Sequence, residues 1–506
     1  MGDPIKVLML CAHEPSLDPR IRWEATSAVS RFDVTVVGFN RADGSCPTVE
    51  IRDNYKTIRL NQNEVSGLYY FWRLKDVLPR SVLLPGTVVA LASLPVLIVA
   101  EIVLRLVFWL LYKPVCWSIR GVRSLLAKSL VLSLALRPLH RRLGAVRRRV
   151  KARVHYRLMA RVHYIVAVIR VQFAPAVSVF WNYLRELAEK PDVIHCNDLD
   201  TLLIGILAKS RYKCRVVYDA HEFWPVSDSL CTWVDTTFFA FLERLLIRKA
   251  DAVVTVNPLL AEEIRRAYHL KQVYSVPNVE PWVADRPTIA NSLMSELSAG
   301  RVKFLFQGRF TLARGIEELI QAWAEVDSSK VACFLRGPDN IWRQQAMQFA
   351  AQLGVLDKSV YFLDSVTEDQ LVAAAAEADV GLIPYLPLAL NERLSCPNKL
   401  SQYLHAGLMV VTNDLPYVRS VLHEASAGMH YSSSDLSTLV DVVDQIATDP
   451  EMLRRCKENA RRFARDRFNW QAQGNVFLDL YSGSRDDRPP GIHISPERRP
   501  LEVMSP

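Results

Sequence analysis

Two arginines, Arg309 and Arg314, flank a short loop between the apolar run VKFLFQG (302–308) and a helical pattern opening at Gly315. Such a run reads as a buried strand, and in open α/β sheets ligands bind in the crevice outside the carboxyl ends of the strands. Guanidinium groups placed there, just past Gly308, can hold negative charge that develops on a departing diphosphate. Further along, Ser395-Cys-Pro-Asn-Lys reads as a helix start, with Pro397 at an early helical position. The free N–H groups of such a start, at Asn398 and its neighbours, form an anion site, and Lys399 adds a point charge. The plainer alternatives are two solvated loop cations and an ordinary helix start.

A second constellation lies earlier. His221 and Glu222 follow the buried run CRVVYDA (214–220), and His195, Asn197 and Asp198 end the run before it. Asp18, Arg20, Arg22 and Glu24 occupy the first strand-to-helix loop and the helix start. These positions suit contacts to a second substrate, but capping or a local ion-pair network would use the same residue types. The first loop has no GxGxxG, so a dinucleotide fingerprint is absent. Asp198-Leu-Asp200 has the spacing of a metal-binding pair, but three residues prove little. Nine dispersed cysteines without a Cys-x-x-Cys pair argue against a disulfide framework or zinc site and fit a reducing cytoplasm.

The elements that must position these residues alternate. KVLMLC, DVTVVGF and KTIRL read as strands around one helix, and the rhythm resumes at PDVIHC, CRVVYDA, DAVVTV and QVYSVPN. A second series runs VKFLFQG, VACFLRG, VYFLDS, DVGLIPY and MVVTND, with Thr367 and Gln370 spaced as a capping box. Buried strands alternating with helices predict two Rossmann-like α/β domains with parallel sheets. Residues 1–65 and 186–280 form the first domain, interrupted by an insertion at 66–185. Residues 281–465 form the second, 466–482 a C-terminal helix and 483–506 a disordered tail.

The insertion carries the charge imbalance. The chain's net charge is +9, yet between Glu101 and Glu186 there is no acidic residue against seventeen lysines and arginines, so the remainder is mildly acidic. Residues 82–112 are apolar apart from Glu101 and Arg105. Both halves of the first domain must lie on one side of a membrane, which favours a re-entrant hairpin or interfacial helices over a single crossing. Anionic membrane lipids are the expected partner of residues 82–181. A soluble helical insertion is the bland alternative. A nucleic-acid arm would need polar linkers rather than long apolar flanks, so no nucleic acid is expected.

GRFTLARGIEELIQA (308–322) and SCPNKLSQYLHAGLMVVTNDLP (395–416), with DPRIRWEA (18–25) and VYDAHEFWP (217–225), resemble retaining glycosyltransferases of family 4 (group 1), of GT-B fold. That resemblance implies two Rossmann-like domains facing a central cleft. It also implies sugar transfer from a nucleotide-sugar donor, without cofactor or metal, to a glycan or lipid-linked acceptor at the cytoplasmic membrane face. Gly308, Arg309, Arg314, Ser395, Pro397, Asn398, Lys399 and Gln402 fall on the donor side, and Asp18, Arg20, His195, Asn197, Asp198 and Glu222 on the acceptor side. His221, Arg309 and Arg314 are the catalytic candidates. The sequence departs from the family where a Glu-x7-Glu pattern would fall on Leu394 and Gln402, the second of which would grip the ribose; Glu392 is near but out of register. That departure keeps a weakly catalytic scaffold subunit open, and a sugar-nucleotide epimerase is the other alternative.

Overall fold

The computed structural model describes residues 4–41, 44–61, 174–226, 233–284 and 293–483. By contact the chain divides into two units, Met1–Gln62 with Phe180–Pro506, and Asn63–Val179. The first unit carries both sheets.

The first sheet contains β1 (Lys6–Leu10), β2 (Asp33–Phe39), β3 (Val49–Arg52), β4 (Tyr55–Leu60), β5 (Val193–Asn197), β6 (Arg215–Ala220), β7 (Ala252–Thr255) and β8 (Tyr274–Ser275). Their order is β3-β4-β2-β1-β5-β6-β7-β8, and every pairing is parallel except β3 with β4. Chain order reverses across β1, whose Val7 stands beside Val34 on one side and Val193 on the other. The loops leaving β1 and β5 therefore part at this switch point and leave a crevice between them. Asp18 and Asp198 sit in those two loops.

The second sheet contains β9 (Val302–Gln307), β10 (Val331–Arg336), β11 (Val360–Leu363), β12 (Val380–Ile383), β13 (Met409–Thr412) and β14 (Gly428–His430), ordered β11-β10-β9-β12-β13-β14 and wholly parallel. Its switch point lies between β9 and β12. The loop with Arg309 and Arg314 leaves one of these strands, and the loop with Tyr385 leaves the other. Helix Asn398–Ala406 carries Lys399 and precedes β13. The expected two-domain GT-B architecture is what forms.

Some elements escaped the sequence reading. β3 pairs back on β4 through Asp53 and Asn54, both at positive φ (51° and 67°), the primed-turn geometry that matches strand twist. The expected strand at 272–278 shrinks to two residues in β8, and β14 was not anticipated. In place of one helix over 466–482 stand Trp470–Gln473 and Asn475–Ser482, following helix Pro450–Asp466. They return to the first domain: Trp470 packs on Trp23 and Tyr481 on Phe32, each at 5.7 Å between ring centroids.

Helix Ala174–Glu186 corrects the inner edge of the insertion. Its Phe180 and Leu184 are buried in the first unit, with Phe180 stacked on Phe39 at 5.1 Å. A helix that covers a parallel sheet is as apolar as one meeting lipid, which is why 174–181 fell within the stretch expected to meet lipid. Among the described residues no helix is long and apolar enough to cross a membrane. Residues 62–173, with all of the cationic block except Arg185 and with the apolar run 82–112, lie outside the described residues, as do 484–506.

Candidate active site

Asp18 ends the first loop and caps helix Pro19–Ala28, accepting from the Arg20 N–H at 2.9 Å. This fixes the Asp18 carboxylate with its second oxygen 3.3 Å from Nδ1 of His221. His221 leaves β6 directly after Asp219 and Ala220. Its Nδ1 also lies 3.6 Å from Asp198, and its Nε2 lies 3.2 Å from Asp219. Burial opposes charge on this ring, but Asp198, Asp219 and Asp18 outweigh burial and hold its pKa well above the ordinary histidine value. His221 thus has a carboxylate at each nitrogen, an arrangement that favours the protonated ring and leaves neither nitrogen placed to take a proton as a base.

Asp198 stands at φ 64°, ψ 169°, a region that is essentially glycine's own and costs roughly 1–3 kcal/mol. Three bonds hold it there. Its N–H donates to the Asp219 carbonyl at 2.9 Å, and its Oδ1 accepts from the His221 N–H and from Trp224 Nε1, each at 3.1 Å. The strained backbone turns the carboxylate toward His221 and not into its own helix terminus.

Beneath this group lies a buried layer. Arg20, 2% exposed, grips Asp219 with Nε at 2.6 Å and Nη2 at 3.0 Å, and gives Nη1 to the Val276 carbonyl and to Asn278 Oδ1. Glu24 lies 3.1 Å from the same Nε and, by burial and the nearby Asp219, is held well above the usual carboxylate pKa. His195 is fully buried beside Tyr481 Oη at 2.6 Å, and burial pushes its pKa down to about 4. Asn197 is 2% exposed and donates to the Leu10 carbonyl. The sequence reading put Arg20, His195 and Asn197 in contact with acceptor; their burial instead makes them the support beneath Asp219 and His221, the ion-pair alternative for that loop. Glu24, His195 and Asp219 together offer metal-ligating atoms, but the Arg20 guanidinium already sits against their oxygens, so a metal ion there would meet a cation.

At the second sheet the cations gather on Tyr385. Lys399 donates to its hydroxyl at 2.8 Å, and the Arg314 guanidinium lies over its ring, 4.0 Å from the centroid. Lys399 is 6% exposed; burial, and then Arg314, hold its pKa well below the ordinary lysine value. Among the described residues neither cation has a carboxylate in salt-bridge range. Arg309 is exposed, and Gly308, at φ 141°, leaves room that a Cβ would fill 3.1 Å from Lys399 Nζ.

Other donor-side candidates fare differently. Pro397 is the cap and not an early helical residue, and Asn398 begins the helix. The Ser395 hydroxyl is spent on the Glu392 carbonyl at 2.9 Å. Gln402 is buried and accepts from Gln307 Nε2 at 3.1 Å, so its carbonyl is not open to a ribose as the resemblance implied. Glu392 accepts from the Ala389 N–H.

The two sheets are bridged around this site. Asn257 donates to the Leu394 carbonyl at 2.6 Å, Phe223 N–H to Asn391 Oδ1 at 2.8 Å, and Asn278 to the Cys396 carbonyl at 3.3 Å. Glu222, between them, keeps solvent contact. Loss of hydration beside the protein, then Asp198, pushes its carboxyl up to about 7 against the pull of His221 and Arg314. Asp200 is pushed up to about 8 by burial and Asp198. Asp219 and Tyr385 were missed as site residues. A charge inside the buried strand RVVYDA was the available signal for Asp219; Tyr385 at the end of VGLIPY carried none.

A family model described as a glycosyl transferase 4-like domain matches residues 120–278, and one described as glycosyl transferases group 1 matches 294–463. The chain is a glycosyltransferase that carries a 4-like domain followed by a group 1 domain. It is similar to an uncharacterised glycosyltransferase of Methanocaldococcus jannaschii, 24% identical over 308 residues that cover 58% of this chain and 75% of that one. It is also similar to alpha-maltose-1-phosphate synthase of Mycolicibacterium smegmatis, at 23% identity over 58% of this chain and 79% of that protein. In fold it resembles sucrose-phosphate synthase of Thermosynechococcus elongatus, with a TM-score of 0.60 at 15% identity, covering 95% and 98% of the two chains. Anabaena HepE, solved with UDP and glucose, gives 0.59 at 13% identity over 95% and 100%. Nothing in the buried layer conflicts with this glycosyltransferase assignment, because the cations and carboxylates stand at the switch points of its two sheets.

Proposed function

We propose that this glycosyltransferase moves a sugar, with retention and without bound metal, from a nucleotide-sugar donor to a lipid-linked or polysaccharide-precursor acceptor at the cytoplasmic face of the cell membrane. The observation that carries the reading is the pair of cations on Tyr385. Among the described residues Lys399 and Arg314 lie together with no carboxylate in salt-bridge range, Lys399 in the first turn of helix Asn398–Ala406 and close to Gly308, which the exposed Arg309 follows in the chain. A diphosphate supplies that missing anion. HepE was solved with UDP, which agrees with a nucleotide donor on this fold.

As the bond from the anomeric carbon to the diphosphate oxygen breaks, its electron pair leaves with the diphosphate, and Arg309, Arg314 and Lys399 hold that charge. The acceptor hydroxyl attacks the face just vacated and gives its proton to the departing phosphate oxygen, so no carboxylate nucleophile is required. The seventeen cations and the apolar run of 82–112 support the membrane-bound acceptor. The commitment of Gln402 to Gln307 supports a second reading, a subunit that binds donor without turnover.

Incubation with radiolabelled UDP-, GDP- and dTDP-sugars and membrane lipid extract tests both. Label entering lipid is expected, binding alone favours the scaffold, and an isomerised donor marks an epimerase. The Arg309→Ala/Arg314→Ala pair is expected to slow transfer by roughly a hundredfold or more. Undiminished transfer by that variant removes the donor site from these residues.

A further inference from the structure

His221, the residue that the sequence marked as catalytic, has no nitrogen left to offer. Nδ1 faces Asp18 and Asp198, and Nε2 faces Asp219. The ring itself is largely covered, with 14% of the side chain exposed, whereas Asp18 and Asp198 keep 21% and 23%. Asp219 is wholly buried and held from below by both arms of the Arg20 guanidinium. The solvent-facing members of the cluster are thus the two carboxylates, and the histidine stands behind them.

We propose that His221 is a fixed positioning cation, anchored through Asp219 to Arg20, whose task is to hold Asp18 and Asp198 side by side and aimed into the crevice, where they accept hydrogen bonds from hydroxyl groups of the sugar substrate. This rests on the transferase reading above and assigns the carbohydrate-gripping groups within it.

Three observations support the assignment. The carboxylates come from separate elements, the β1 and β5 loops, so without a shared cation they would repel across the switch point. The backbone strain at Asp198 is directed at His221, through the hydrogen bond from its N–H and the 3.6 Å approach to its Nδ1. Asp18 is held below the usual carboxylate pKa: burial would raise it, but the bond to His221, the His221 charge, His13 and the Arg20 N–H prevail. Carboxylates accept strongly from hydroxyl groups. Arg20 also reaches Asn278, whose amide bonds the Cys396 carbonyl just ahead of the Lys399 helix, so one chain of contacts runs from the carboxylates to the donor-side helix.

The charged and titratable groups around His221 are Asp18 and His13 from the β1 loop, and Arg20 and Glu24 from helix Pro19–Ala28. Asp198 and Asp200 lie at the β5 end with His195 within that strand, and Asp219 and Glu222 flank His221 in its own segment. The three carboxylates nearest the ring dominate.

The experiment is ring NMR on the full chain, with His221 identified as the signal lost in His221→Gln, alongside transfer kinetics. The wild-type ring is expected to titrate well above the ordinary histidine value, and Asp219→Asn and Asp18→Asn should each lower its titration by about one pH unit or more. Asp18→Asn lies at the partly exposed face and keeps the test open should Asp219→Asn not fold. His221→Arg, which keeps the charge, should retain transfer within about tenfold, while His221→Gln raises KM for the sugar acceptor about a hundredfold with donor affinity unchanged. A wild-type ring titrating near 6.5, or His221→Arg as inactive as His221→Gln, overturns the proposal. If the wild type transfers no sugar from any donor, the transferase reading fails, while the ring titration still decides the charge state of His221.

Discussion

Glu243 shows how strongly one buried side chain can tie this fold to pH. It is fully buried and accepts from the hydroxyls of Tyr218 at 2.7 Å and Tyr268 at 2.6 Å. Burial pushes its carboxyl up to about 7 despite both bonds. A folded pKa above the unfolded value, about 4.3, means a contribution to stability present in full below pH 4 and lost as pH rises through 7. His221 has the same sign, with its loss at higher pH. Thermal melting is therefore expected to weaken from pH 5 to pH 8, and Glu243→Gln should flatten that slope while keeping one of the two hydroxyl bonds. A wild-type melting temperature that climbs steadily over this interval would count against the assignment. The Arg22–Glu368 bridge between the sheets, at 2.8 Å and about one-third exposed on each side, belongs to a weaker class; surface pairs contribute about 0–1 kcal/mol.

Among the elements, the loop after β9 is the most constrained. Gly315 stands at φ 64° between the turn Leu312–Arg314 and helix Ile316–Trp323, and an added Cβ would lie 2.0 Å from the Pro384 carbonyl oxygen. That contact is with backbone next to Tyr385, so relief requires the two switch-point loops to part, moving Arg314 off the Tyr385 ring. Gly315→Ala is expected to cost more than about 1 kcal/mol of stability and to slow transfer at the same time. Melting and transfer both at wild-type levels would show that the loops are not held by this approach. β1 with its loop, β5 and β6 do for the first sheet what this loop does for the second. Each ends at the crevice with an acidic residue, and the helix cap at Asp18 fixes the direction of one of them.

On the scale of the whole molecule, the last helices belong physically to the first domain although they follow the second in sequence. Tyr481 bonds His195 and packs on Phe32, while Trp470 and Phe477 lie near the Arg20 guanidinium at 6.0 and 5.4 Å from their centroids. Tyr481→Phe leaves Nδ1 of a buried neutral histidine without its partner, which costs about 1–3 kcal/mol. A fall of several degrees in melting temperature is expected, read by calorimetry, with the donor-binding cations untouched. A variant that melts like the parent would mean the C-terminal helices lend the first domain no support through this bond.

The sequence by itself determined the alternation of strands and helices, because parallel strands buried on both faces must be continuous apolar runs. It therefore also placed Arg309, Arg314, Lys399, Asp18, Asp198 and His221 at strand ends or helix starts. Whether such a residue faces the crevice or supports it from below is not written in its spacing. Arg20 and His195 stand as close to strand ends as Asp18 does, yet they are buried by Trp470, Phe477 and Tyr481, which arrive from almost 300 residues or more away. Gln402 was legible as a departure from an acidic residue, but its engagement with Gln307 depends on the packing of helix Asn398–Ala406 against β9. Tertiary structure alone decided the pairing of Lys399 with Arg314 on one tyrosine and the gathering of three carboxylates around His221. Both come from groups far apart in the chain brought within 4 Å, where loss of water and the sign of the neighbours set the chemistry.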